Sequence, residues 1–496
     1  MRRVFFVSLR TSGIPFLIPL LLISLSFTSC ANWSSTLSKV KIQRGIDLKE
    51  KTDQALATSD FRKGYWPEEK WWEMFEDEQL SSFIQVGLES SPSLKAAEAR
   101  VRQANQEAFV TRSKLFPQIQ GFFNYLYTYF SKKGFGKELQ SLNPNFRLYT
   151  LLLDFTYEFD FWRKNMNAYQ ASLGQARTQE ALNQQIKMIL SVSIAKQYYD
   201  LQANCTRMAI LQEILENKLK LFRLVELRRE NRIDNLIDIN NVKQEILSLQ
   251  EAMAGLAGEL KLQKSLLITL MGKNPAEEMK IVTIWDLPDR SFELPDEIGL
   301  ELLVRRPDLM AQVWSVYTMT KNIGIAVAQF LPNVNLVGFG GSDAMKFSDL
   351  LTSKSGTVGV FPYLTFPVFM GGKLYGQLKS QLAAYEAAIY DYNNLLLNAA
   401  NEVVSGITKI NSAQEQINYQ IDEVNSKKDN YNLVYSRYKH GIDSMIKVLT
   451  SDYDFLQSRY EQVDLSSQRV QASIDLVRAL GGGYHYEKHN KEIKKL

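Results

Sequence analysis

From Lys373 onward the apolar residues recur in steps of three or four: Leu374, Leu378, Leu382, Tyr385, Ile389, Tyr392, Leu396, Ala399, Val403, Ile407 and Ile410. Gln414 breaks the row once, and Ile417, Ile421 and Val424 resume it. That spacing is the period of an α-helix with one buried stripe. No proline interrupts it and the first decisive stop is Gly441, so the pattern predicts one helix of about 65 residues, about 100 Å long. A second such stretch runs from about Asn165 to Arg232, rich in Gln, Glu, Lys and Leu and carrying the pair Tyr198-Tyr199. Narrow stripes on otherwise polar helices suit helices packed side by side with one wet face. Globular domains do not need helices this long.

Ahead of each long helix the period changes to two. Tyr125, Tyr127 and Tyr129 alternate with smaller residues; after a gap from about Ser131 to Asn145, Phe155, Tyr157, Phe159 and Phe161 alternate with Asp154, Thr156, Glu158 and Asp160. Later come Val334 and Leu336, a gap from about Ser342 to Gly356, then Val358, Val360, Leu364, Phe366 and Val368. These are strands with a greasy face and a charged face. A soluble sandwich alternates too, but an aromatic apolar face opposite carboxylates suits a membrane barrel with a wet lumen.

The two halves are copies. Ser91-Pro92-Ser93-Leu94 is answered about 215 residues later by Arg306-Pro307-Asp308-Leu309, and Leu115-Phe116-Pro117 by Phe330-Leu331-Pro332. Ile233-Asp234 corresponds to Ile442-Asp443, and the halves close on Leu270-Met271-Gly272 and Leu480-Gly481-Gly482. A duplication of this length predicts one structural unit used twice. It divides the chain into residues 1–29 as a signal peptide, 30–70 as a lipid-anchored linker, 71–290 and 291–484 as the repeats, and 485–496 as a basic tail.

Charge and cysteine usage narrow the class. The net charge of +4 is spread along the chain and gives no electrostatic case for nucleic acid. Two cysteines allow neither a disulfide framework nor a metal quartet. Arg2, Arg3 and Arg10 followed by the short apolar run Ile14 to Phe27 read as an export signal. Its end, Phe27-Thr28-Ser29-Cys30, resembles a lipoprotein signal, which makes Cys30 the expected carrier of diacylglycerol and an N-acyl chain; an ordinary secretory signal with an incidental cysteine is the alternative. Beyond it no apolar run reaches transmembrane length, so any crossing has to be a closed β-barrel.

Four strands per chain cannot close a membrane barrel, because the smallest have about eight. Several chains must pool strands, and three would give twelve, with the long helices continuing the barrel as a tube. The expected fold is therefore mainly α with a membrane β-barrel portion: a long α-helical barrel, two internal repeats and a trimeric twelve-stranded barrel. A helical scaffold anchored by lipid and lacking a pore is the competing reading.

Several motifs carry a family resemblance: Trp71-Trp72-Glu73-Met74-Phe75-Glu76-Asp77-Glu78-Gln79-Leu80, Ser91-Pro92-Ser93-Leu94, Tyr157-Glu158-Phe159-Asp160-Phe161-Trp162, Arg305-Arg306-Pro307-Asp308-Leu309, Phe330-Leu331-Pro332 and Pro367-Val368-Phe369-Met370-Gly371-Gly372-Lys373. In this order they resemble the TolC-like outer-membrane efflux proteins of the lipoprotein (NodT-type) branch. The resemblance implies a homotrimer in the outer membrane that reaches through the periplasm. It would act as a passive exit duct for a periplasmic adaptor and an inner-membrane pump, in this branch usually proton-driven.

The resemblance also implies a periplasmic aperture closed by the helix tips. The family's Tyr-x-x-Gly turn is Tyr438-Lys439-His440-Gly441 here, followed by Asp443. Where the family places pore-facing aspartates this chain has Lys447 and Thr450, which puts an acidic ring from the second repeat in doubt. Asp238 matches Lys447, with Asp234 nearby, and Arg232 stands where the second repeat has Gly441. Asp238 and Lys447 could alternate around the constriction and lock it, or could be solvated charges at helix ends.

No catalytic or metal-binding constellation is legible. His440, His485 and His489 stand apart from carboxylate pairs and cysteines, and no phosphate loop, nucleophile elbow or zinc helix occurs. Cys205 reads as a small buried residue. The expectation is a chain that is not an enzyme and needs no cofactor beyond lipid.

Overall fold

A computed structural model describes residues 40–43, 45–58, 61–129, 145–283, 287–288, 292–295, 298 and 302–486. The signal, Cys30, His489, the Lys488–Leu496 segment and most of the gap after Ser131 lie outside the described residues. Ahead of the first repeat come α1 (Lys49–Leu56) and β1 (Phe61–Lys63). The first repeat runs α2 (Glu78–Ser90), α3 (Pro92–Ser113), β2 (Gln118–Tyr129), β3 (Asn145–Phe159), α4 (Lys164–Glu230) and α5 (Leu236–Leu270). The second follows as β4 (Phe292–Leu294), the single turn α6 (Leu302–Arg305), α7 (Pro307–Ala328), β5 (Asn333–Ala344), β6 (Gly356–Thr365), α8 (Lys373–Lys439) and α9 (Met445–Ala479).

Helices α4 and α8 are each 67 residues long, about 100 Å at 1.5 Å per residue. The stripe read from sequence is the packed face of α8: Leu378, Ile389, Tyr392, Leu396, Ala399, Val403, Ile407, Ile410 and Ile417 are all buried. Past Gln414 the stripe drifts, as a 3.6-residue period must against a regular spacing. Gln420 is buried there and donates to the Ser458 carbonyl at 2.9 Å, while Ile421 is exposed.

Below the middle of the molecule the helices pack in the order α5, α4, α9, α8; above it the order is α3, α4, α7, α8. The short helices thus stand end to end along the two long ones, and each junction needs a close backbone approach. Gly272 (φ +74°) abuts the Ser90 carbonyl, and Gly481 (φ +99°) abuts the Arg305 carbonyl. A side chain there would collide with backbone, and only glycine takes these φ values freely. Each repeat is closed at its end onto its own beginning.

The main core lies at this junction level. Trp71, Leu80, Ile84, Ile194, Tyr198, Tyr199, Tyr392 and Leu476 belong to one buried cluster. Leu48, Ala55 and Phe61 join it, and β1 pairs in parallel with β4, so residues ahead of the first repeat and residues opening the second form one small sheet. Arg306 is buried in the same layer. It grips Asp308 with two bonds (Nε–Oδ1 3.1 Å, Nη2–Oδ2 2.7 Å) and reaches Glu402 at 2.8 Å and the Ala479 carbonyl at 3.1 Å. Burial alone would lower its pKa, but the two carboxylates outweigh that and raise it.

Candidate functional site

The ends of α3, α4, α7 and α8 lead into one antiparallel sheet of order β2-β3-β5-β6. Its register fixes which residues share a face. Ile119, Phe123 and Tyr125 oppose Phe155, Leu151 and Tyr149; Phe155 and Phe159 oppose Gly338 and Val334; and those oppose Val360 and Leu364. The opposite face carries Gln118, Gln120 and Asn124 beside Thr156, Asp154 and Thr150, with Glu158 opposite Asn335 and Thr150 opposite Asp343.

The apolar face is widely exposed in the protomer, Val358 at 81% and Leu153 at 61%. That arrangement is costly in water and suited to lipid. Among the described residues each edge strand, β2 and β6, has a partner on one side only. Among the described residues no helix is long and apolar enough to cross a membrane. The strand reading was one turn too long at its lower end: β3 stops at Phe159, and Asp160 accepts from the Asn165 and Met166 backbone N–H groups at 2.9 and 2.7 Å. Asp160 therefore caps α4 and does not line the sheet.

At the far end each helix pair is joined by a five-residue tip, and the two tips are built alike. The Ile233 N–H donates to the Arg228 carbonyl at 2.8 Å and Arg232 to Arg229 at 2.8 Å; Ile442 donates to Arg437 at 2.9 Å and Gly441 to Tyr438 at 2.9 Å. This is the Schellman closure, which requires a left-handed residue. Gly441 supplies it at φ +75° and Arg232 at φ +59°. The two turns thus share one backbone course although only the second has the glycine.

Each tip then folds an aspartate back onto an arginine six residues earlier. Asp234 meets Arg228 through two bonds, 2.8 and 3.0 Å, and Asp443 meets Arg437 at 2.7 Å. These bonds hold both carboxyls below the usual carboxylate range. The arginines were missed in sequence, although their repeat at the same spacing in both copies was a readable signal.

Asp238 sits at the third position of α5, where its carboxylate accepts from the Asn235 N–H at 3.1 Å and completes a capping box. Lys447, its counterpart on α9, reaches Asp443 at 3.1 Å. Within the protomer no ion pair among the described residues joins Asp238 to Lys447. The Thr450 hydroxyl donates to the Ile446 carbonyl at 3.0 Å, and Tyr438 stays partly exposed on the last turn of α8. So the structure gathers Asp234 and Asp238 at one tip and Tyr438, Gly441, Asp443, Lys447 and Thr450 at the other. No group of metal-ligating residues occurs among the described residues.

The chain is 27% identical over 439 residues to the multidrug resistance outer membrane protein MdtQ of Escherichia coli O6:H1, covering 87% of this chain and 91% of that protein. Its fold superposes on the outer membrane protein VceC of Vibrio cholerae with a TM-score of 0.73 at 27% identity, over 85% of this chain and 100% of that one. It superposes on the Campylobacter jejuni CmeC outer membrane channel with a TM-score of 0.80 at 18% identity, over 92% and 96%. The sequence profile of the outer membrane efflux proteins matches twice, over residues 83–273 and 300–482, once for each repeat. On these matches, and on a lipid-suited sheet continued by a wall of long helices, the chain belongs to the outer membrane efflux protein family.

Proposed function

We propose that three copies of this chain close a twelve-stranded barrel and a twelve-helix tunnel, and that the trimer is the passive exit duct of a tripartite efflux assembly. The observation that carries this reading is the open four-stranded sheet with one apolar face, continued by an arc of four helices whose two outer members also expose apolar rows. Leu247, Leu262 and Leu266 on α5 and Leu397, Tyr419 and Leu433 on α8 stand uncovered in the protomer. A neighbour on each side buries both rows and pairs both strand edges, which removes the edge liability of the sheet.

In this reading Cys30 carries lipid at the outer membrane. A periplasmic adaptor meets the tips, and an inner-membrane pump, proton-driven, supplies the energy. Asp238 and Lys447 of neighbouring copies pair across the constriction and hold it closed.

Protein extracted in detergent is expected to run as a trimer and to form ion channels in a planar bilayer. A monomer that never conducts overturns the duct and leaves the scaffold without a pore. Asp238→Ala and Lys447→Ala are each expected to raise the open probability. Unchanged closure in both removes the lock and leaves the duct standing.

A further inference from the structure

The lipid-suited face of the four-stranded sheet carries one charge. Among the described strand residues the carboxylates Asp154, Glu158 and Asp343 all lie on the other face, by the strand register. Arg147, opposite Tyr127 and one step beyond the Tyr125–Tyr149 pair, is the one ionised side chain on the apolar face. A guanidinium facing lipid costs about 2–4 kcal/mol at the middle of a membrane and about 0–1 kcal/mol at its interface, so its height decides what it can do.

Two aromatic belts give that height. At the helix end of β3, Tyr157, Phe159 and Phe161 meet in succession, ring centres 5.0 and 5.7 Å apart. At the other end Tyr149 meets Tyr125 at 4.7 Å and Phe347 at 5.6 Å. Ten residues of β3 separate Phe159 from Tyr149; at about 3.4 Å per residue and a tilt of about 40° they stand about 26 Å apart, the height of the apolar band of a membrane barrel. Arg147 therefore lies about 5 Å beyond the band, at the level of lipid headgroups.

The side chain is positioned there. Its guanidinium carbon lies 5.7 Å from the centre of the Tyr127 ring, whose hydroxyl donates to the Asn145 side-chain oxygen at 3.1 Å. No ion pair among the described residues uses it. The contact of Phe347 with Tyr149 also draws the β5–β6 connection to this rim, and that connection brings Lys346 and Lys354, both exposed, against the single carboxylate Asp349. We propose that Arg147, with Lys346 of the adjoining connection, binds a phosphate of the lipid in the outward-facing leaflet. A guanidinium takes phosphate oxygens through parallel N–H bonds, the Tyr127 ring steadies it, and Tyr125, Tyr149 and Phe347 below it pack against the start of the acyl chains. A free phosphate ion gains nothing from that belt, so the surface favours lipid. The inference rests on the exit-duct reading, which turns this face to the membrane, and names the headgroup chemistry it meets.

The test uses the full-length protein in detergent and native mass spectrometry, which counts the lipids it retains. The probes are lipid A with its phosphates and the same glycolipid after dephosphorylation. The phosphorylated form is expected to be retained about tenfold better, the worth of a hydrogen bond to a charged group. Arg147→Gln is expected to lose most of that preference and Arg147→Lys to keep part of it. Should Arg147→Gln fail to assemble, Lys346→Gln, outside the sheet, carries the test with an expected loss of about threefold. Equal retention of the two lipids, or a preference untouched by the variants, overturns the inference. So does displacement of the lipid by millimolar inorganic phosphate, the mark of a free-ion site. Bilayer conductance of the same preparation separates the failures: a conducting protein without the preference sinks the lipid site alone, and one that does not conduct sinks the duct and the site with it.

Discussion

The two repeats trace the same backbone with different residues at its most demanding points. Where the second uses Gly372 and Gly441 in left-handed conformations, the first uses Arg163 (φ +58°) and Arg232 (φ +59°). Both sites lie at the ends of a long helix, α8 in one repeat and α4 in the other. A residue with a Cβ loses about 1–2 kcal/mol in this region, so the first repeat carries strain the second avoids. At the junction the imbalance is reversed. The second repeat sets Arg306 in an ion cluster where the first has Ser91, whose hydroxyl meets only Ser93 at 2.9 Å. Equivalent folds need equivalent shape; they do not need equivalent chemistry.

The largest expected effect probes the junction. Arg306→Met leaves Asp308 without its guanidinium, while Glu402 keeps Arg478 at 3.9 Å; removing one member of a buried ion pair costs about 3–5 kcal/mol, whereas Ser91→Ala costs about 1 kcal/mol or less. Thermal unfolding in detergent reads both, and similar losses would mean the ion cluster adds nothing. Next come the closing glycines. Gly481→Ala drives a methyl group into the Arg305 carbonyl, and Gly272→Ala meets Ser90 at 2.8 Å with more room to adjust. Both are destabilising by about 1–3 kcal/mol, Gly481→Ala the more so. The opposite ranking would show that the second junction is the more pliable one.

A smaller effect tests the strain at the tips. Arg232→Gly is expected to stabilise by about 1 kcal/mol and Gly441→Arg to destabilise by about the same; equal responses in sign would refute the comparison. The last expectation is a null. Because Asp234 and Asp443 have lowered pKa values in the folded tips, their contribution is complete above the ordinary carboxylate range and is lost only as pH falls through the depressed values. Distances between spin labels across each tip should therefore hold from pH 8 to about 5 and loosen only below about 4. Loosening near pH 6 would assign the tips to histidine chemistry instead.

Much of the fold could be read directly because its signals are periodic. The stripe from Leu378 to Ile417 and the alternation around Tyr125 and Phe155 needed no tertiary information, and the duplicated text located both junctions. Asp160 was misplaced because a capping carboxylate and a strand carboxylate look the same until the chain turns. Arg228 and Arg437 were passed over because an arginine in the last turn of a polar helix resembles any solvated charge. Only the returning loop brings an aspartate onto it.

The sequence by itself determined the long helices, the twofold repetition and the apolar face of each barrel strand, because these follow from local steric preference and from burial at a fixed period. The tertiary structure alone decided the conformation of Arg232, the ion cluster around Arg306 and the meeting of β1 with β4. The last two depend on groups distant in the chain, Glu402 and Ala479 beside Arg306 and the β1–β4 pairing, and their energies exist only once packing has brought them together; Arg232 takes its conformation from the way the chain closes α4.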